Sequence, residues 1–152
     1  MPNPYTDTCR PIGDLIAEAA TICNTAGIPA HACTGTTLKR LVYDCSTALT
    51  ESAGEPTCVI VYGGSWFDNC PRRTTTLQLV ILSSDTRVVD GVAASVAAAR
   101  AIAAAMDDTV HNEDAGDNTI TDKWEVASEE VLDLPGLADA AAVSLSVTIK
   151  DY

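Results

Sequence analysis

Val143-Ser144-Leu145-Ser146-Val147-Thr148-Ile149-Lys150 alternates apolar and polar side chains without a break. A period of two sends Val143, Leu145, Val147 and Ile149 to one face of a strand and the four polar residues to the other. A sheet built around such a strand has one buried face, and one-sided burial goes with antiparallel pairing. The rest of the chain is read as what covers that face.

Working back from this strand, Pro135 and Gly136 mark a turn at 134–137, and a further strand is expected around Ile120 to Ala127. An acidic loop from Asp107 to Asn118 precedes it. Val89, Val92, Ala93, Val96, Ala99, Ile102, Ala103 and Met106 recur at helical spacing, so a long alanine-rich helix is expected behind caps offered by Ser83, Ser84 and Asp85. Thr74 to Leu82 and Thr57 to Tyr62 read as two more strands, the second rich in β-branched residues, covered on both faces or mid-sheet, and halted by Gly63 and Gly64. The connection Gly63 to Arg73 is long for a hairpin.

Leu38, Leu41, Val42, Cys45, Ala48 and Leu49 share one helical stripe, although Val42 and Tyr43 also suit a short strand. Any of the threonines between 30 and 37 can cap it. Ile12, Leu15, Ile16, Ala19, Ile22, Cys23 and Ala26 form a first amphipathic helix that opens at Pro11 and stops at Gly27 and Pro29. Residues 1–10 read as an N-terminal arm, and 11–152 as a single α+β domain. The expected order is α-α-β-β-α-β-β: a four-stranded, mainly antiparallel sheet with two or three helices packed on one face. Strand order stays open, within ferredoxin-like or related split arrangements.

The chain has 152 residues, enough to bury roughly 70% of its unfolded surface without a covalent staple. Aromatics are only 5%, and the apolar mass is alanine, valine, leucine and isoleucine, which suits thin layers rather than a large ligand cavity. No apolar stretch approaches the ~20 residues of a membrane span, and MPNPYTDTC lacks the features of a signal peptide, so synthesis and folding in the cytoplasm are expected.

Six cysteines stand at 9, 23, 33, 45, 58 and 70. Cys23 and Cys45 fall on apolar helix faces, and no C-x-x-C pair occurs, so buried thiols are expected rather than a disulfide framework. Oxidation outside a cell leaves a pair such as Cys9 with Cys33 open. His31 and Cys33 make at most half a zinc site, because no second half is visible.

Charge is concentrated. Residues 107–133 hold ten acids against Lys123, a net −9 out of −12 for the whole chain. Counting back five from Gly116 reaches His111, where a calcium loop needs its first aspartate, so the spacing is wrong for an EF-hand. A solvated loop and strand face is the plain reading, and such a surface repels phosphate.

Chemistry is sparse. His31 and Cys33 could share a face, but no third group orients them. The glycines after Tyr62 lack the lysine of a phosphate loop. Trp66 and Phe67 stand side by side in a polar connection with Arg72 and Arg73 nearby, a composition that either folds back or anchors a partner.

In layout, the chain resembles the tail terminator and tail-completion proteins of long-tailed bacteriophages. The similarity runs from the first helix through Pro56-Thr57-Cys58-Val59-Ile60-Val61-Tyr62-Gly63, the long connection, Leu77 to Leu82, the helix from Val88, and Trp124-Glu125-Val126 to Val147-Thr148-Ile149. The chain departs from that pattern in its cysteines and in a second helix before the first strand. The resemblance implies a non-enzymatic structural virion protein, assembled in the host cytoplasm and located in the tail or neck. Its copies would close a homo-oligomeric ring, a hexamer, that ends the tail tube and joins it to the head connector. Its partners would be itself, the tail tube protein and the head–tail connector, with DNA only in passage, no membrane, no cofactor and no metal. The residues implied as ring contacts are Trp66, Phe67, Arg72 and Arg73, with Asp114 and Asp117 as counterparts. Another neck, connector or tube ring protein shares this logic. A small cytosolic thiol-bearing binding or redox domain, using Cys33 and His31, is the alternative of a different class.

Overall fold

The computed structural model describes residues 9–67, 72–115, 118–137 and 139–151. Eleven elements follow one another: α1 (Ile12–Thr25), β1 (Ala30–Ala32), α2 (Leu38–Glu51), β2 (Thr57–Phe67), β3 (Arg73–Ser83), β4 (Val88–Val89), β5 (Val92–Ala93), α3 (Ala94–Met106), β6 (Val110–Ala115), β7 (Asn118–Leu132) and β8 (Ala141–Asp151). Six strands form one mixed sheet in the order β1-β2-β3-β8-β7-β6, and β4 pairs with β5 in a separate ribbon. β1 runs parallel to β2, and every other pair in the sheet is antiparallel.

This corrects the expected four-stranded sheet with helices on one face. The alternation in β8 is present: Val143, Leu145, Val147 and Ile149 are buried, whereas Ser144, Ser146, Thr148 and Lys150 are half-buried. The second face is nevertheless covered over part of its area. α1 and α3 pack on one side, where Leu15, Ala19, Cys23, Ile102 and Met106 meet Leu77, Leu79, Ile81, Trp124 and the inward residues of β8. α2 packs on the other, where Cys45 and Ala48 meet Val59, Val80, Leu82 and Ala142. The unbroken run Leu79-Val80-Ile81-Leu82 records this, because only a strand buried on both faces has no use for alternation.

The ends of elements follow local chemistry. Pro11 is the N-cap of α1, and its carbonyl accepts from the amides of Asp14 and Leu15. α1 closes on Gly27 at φ 85°, with the amide of Ile28 donating to the Cys23 carbonyl at 2.9 Å, a Schellman stop that needs a left-handed residue. Thr37 caps α2 by accepting the amide of Arg40 at 3.1 Å, and Val42 and Tyr43 are helical.

Three further boundaries correct the sequence reading. β2 does not stop at Gly63 and Gly64 but passes through them with a register shift between Tyr62 and Ser65, so most of the expected long connection is strand. Gly63 allows this, because a Cβ there would sit 2.9 Å from the Thr76 carbonyl oxygen. Val89 and Val92 belong to the β4–β5 ribbon, turned by Asp90 and Gly91 at φ 54° and 81°, and α3 starts only at Ala94 behind Ala93 rather than at the expected serines. The acidic loop is largely a strand: β6 pairs with the first part of β7.

Candidate assembly surface

The register of the sheet sorts the candidate contact residues onto two opposite margins. Trp66 and Phe67 end β2 and are 53% and 43% exposed. Arg72 is exposed just before β3. Among the described residues, β1 is the one strand beyond β2 at this margin, and it covers Cys58 to Ile60. Asp114 lies in β6 opposite Thr119, at the far margin, and Asp117 lies outside the described residues, as do Cys70 and most of the expected N-terminal arm. The candidates therefore do not converge on one point; they occupy opposite ends of the strand order.

Arg73 departs from this surface. It is 6% exposed, its Nε donates to Asp151 Oδ2 at 2.9 Å, and its Nη2 donates to the Arg10 carbonyl at 2.6 Å. Arg10 is buried as well, and its guanidinium pairs with Glu18 and, at 3.0 Å, with Asp122. Asp122 also accepts the indole Nε1–H of Trp124 at 2.8 Å. Burial raises the Asp151 carboxyl above its ordinary value, with Asp122 adding to the effect and Arg73 opposing it. Five charged side chains, Arg10 just before α1, Glu18 on it, Arg73 of β3, Asp122 of β7 and Asp151 of β8, are thus tied together. Pairing is what makes their burial tolerable, and the network fixes residues 9–10 to the end of the sheet. Composition could not reveal this, but phase could. Asp122 shares the inward phase of Trp124, and Asp151 continues that of Val147 and Ile149, so each places a carboxylate where the pattern demands an apolar residue.

The thiol candidate separates into two unrelated contacts. His31 Nε2 lies 3.6 Å from Glu51, whereas Cys33 Sγ donates to the Gly35 carbonyl at 3.4 Å. Cys9, Cys23, Cys33, Cys45 and Cys58 are thiols, none of them in a disulfide. Burial pushes the Cys45 thiol up to about 12, and the hydrogen bond with Cys23 together with burial pushes Cys58 well up, which keeps both protonated and unreactive at neutral pH. Among the described residues no group of three or more His, Cys, Asp or Glu is placed to hold a metal ion, and no helix is long and apolar enough to cross a membrane.

Beside the uncovered part of β2 runs a groove of about 330 Å³, lined by Ile16, by Cys33 to Thr36 and by Ile60 to Tyr62. Arg40 stands at its rim, donating to Thr34 and paired with Asp44 at 3.4 Å. Strands β1 and β2 carry no acidic residue, whereas 110–132, spanning β6 and β7, hold seven acids against Lys123. The sheet therefore ends on two chemically unlike margins, one aromatic with paired charges beside it and one acidic.

Compared with protein-family models and with curated proteins, the chain gives no match.

Proposed function

We propose that this protein is a structural ring protein that closes the tube of a long-tailed bacteriophage and joins it to the head connector. The observation that carries the reading is the pair of unlike margins on one sheet. A subunit with one acidic margin and one aromatic margin whose strands carry no acid associates head to tail, because two acidic margins repel each other and each is better met by the other kind; when the rotation between copies closes, the product is a ring. The layout resemblance to tail terminators supplies the particular ring, a hexamer in the virion neck. Trp66, Phe67 and Arg72 serve as contacts at one margin and β6 with Asp114 at the other, while Arg73 holds the subunit together. The acids of β6 and β7 other than the buried Asp122 face the passage, where their charge keeps DNA from adhering during transit.

The reading is tested by locating the protein in purified particles of a phage that carries the gene. Gold-labelled tagged protein is expected at the head-proximal end of the tail by electron microscopy. Particles that assemble fully without it overturn the assignment.

A further inference from the structure

Resting on that ring reading, we infer that neighbouring copies join by continuing each other's sheet through a stepped joint. β1 of one copy adds to the bare end of β7 in the next, while the start of β6 in that copy adds to the aromatic end of β2.

The register rows of the sheet carry the argument. At one level, Ala30 is followed across the sheet by Cys58, Ile81, Val143 and Val131. At the other, Trp66 is followed by Thr74, Lys150, Lys123 and Val110. At the β2 margin the outermost strand, β1, is present only at the first level, and Val61 to Phe67 have no strand beyond them among the described residues. At the opposite margin the outermost strand, β6, begins at the second level, and Ala127 to Leu132 have no strand beyond them among the described residues. Each margin protrudes where the other is recessed. A sideways displacement of one copy sets β1 beside Val131 and Val110 beside Trp66.

Side chains mark the same two levels. Val131 is 86% exposed, Val110 54% and Trp66 53%, and all three stand at margins where, among the described residues, no further strand is paired. Apolar residues at a bare strand edge favour pairing with another chain. At the first level the bare backbone belongs to β7, where the Val126 amide turns outward and is already capped by Asp107 Oδ1 at 2.9 Å. The alternation of bonded and non-bonded pairs along an antiparallel ladder then directs the Val131 amide outward too, past the register shift between Val126 and Ser128.

Charge selects the partner. A two-fold pairing of identical β6–β7 margins also fits sterically, but it faces two sets of acids, including Glu129 and Glu130, against each other. The β1–β2 margin offers strands without acids, and beside them Arg40 is already paired with Asp44 and His31 lies near Glu51, so this margin lacks the excess of negative charge that opposes a second acidic margin. Unlike margins therefore meet, and the occupant is a second copy of this chain.

The test uses two variants that each block one margin. Ala32→Pro with Trp66→Asp blocks the β1–β2 margin; Val110→Asp with Val131→Pro blocks the β6–β7 margin. Proline on an edge removes a donor without breaking the subunit's own ladder. By native mass spectrometry, each variant alone is expected as a monomer, and an equimolar mixture as a dimer with nothing larger, because only one open junction remains. Rings from either variant alone, or a mixture that stays monomeric, overturn the joint while leaving the ring reading intact; a monomeric wild type overturns both. If a variant does not fold, hydrogen exchange on the wild type decides. Amides of Ala30–Ala32, 61–67 and 127–132 are expected to exchange at least tenfold more slowly in the assembly than in diluted monomer, and equal rates overturn the joint.

Discussion

At Asp122 and Asp151 the alternation that builds the sheet carries a carboxylate into the interior, and Arg10 and Arg73 are there to meet it. Removing one partner leaves an uncompensated buried charge, which is more damaging than losing an exposed pair. Arg73→Met is expected to lose about 3–5 kcal/mol of stability in urea unfolding. Trp66→Ala, at an exposed position, is expected to change it by no more than about 0.5 kcal/mol. Equal losses would mean that Arg73 is not the internal tie described. Asp44 gives a pH signature. The Thr34 amide at 2.8 Å, its hydroxyl, Cys33 and Arg40 hold its carboxyl below the ordinary 3.8, against a smaller opposing effect of burial. A folded-state value below the unfolded one contributes stability that is full above 3.8 and is lost as pH falls through the folded value. Asp151, raised by burial, works in the opposite sense: its contribution is present in acid and disappears as pH rises through its folded value. Asp44→Asn is therefore expected to be less stable than wild type at pH 7, with the difference closing as the pH drops below the ordinary aspartate value. A constant difference down to acid pH would contradict this.

Elements with a full face to bury announce themselves in sequence, and those without one do not. β8 and the stripes of α1 and α2 are legible because each side chain's role repeats at a fixed spacing over many residues. β1 is three residues long, too short to show any period, and it is held by the Cys33 amide donating to Ile60 and the Cys58 amide donating to Pro29. β6, Val-His-Asn-Glu-Asp-Ala, carries no apolar rhythm and so reads as a loop. Asp90-Gly91 was the available signal for the β4–β5 ribbon, since that dipeptide suits two successive left-handed residues. The buried ion network was legible only through phase, and the opposed margins were not legible at all, because strand order is a property of pairing rather than of pattern. Two substitutions examine the element boundaries. Thr37→Ala is expected to cost about 1 kcal/mol through loss of the cap on Arg40's amide. Gly63→Ala brings a methyl group against the Thr76 carbonyl and is expected to destabilise by about 1–3 kcal/mol, whereas no loss at this position would argue against the close passage of β2 and β3.

For the whole molecule, the decisive property is asymmetry. Helices cover one face of the sheet and part of the other, and its two margins differ in height, in charge and in aromatic content. A symmetric dimer would need one margin to accept its own copy; a head-to-tail chain needs only that each accepts the other. Salt weakens attraction between exposed charges, so assembly is expected to be favoured at low ionic strength. The most direct test of the central claim is the mass of the purified wild-type protein in solution, measured across concentration by light scattering or native mass spectrometry. The account expects a discrete closed species at a fixed multiple of 15.9 kDa, six for the proposed hexamer. A single 15.9 kDa species at every concentration and salt would contradict it.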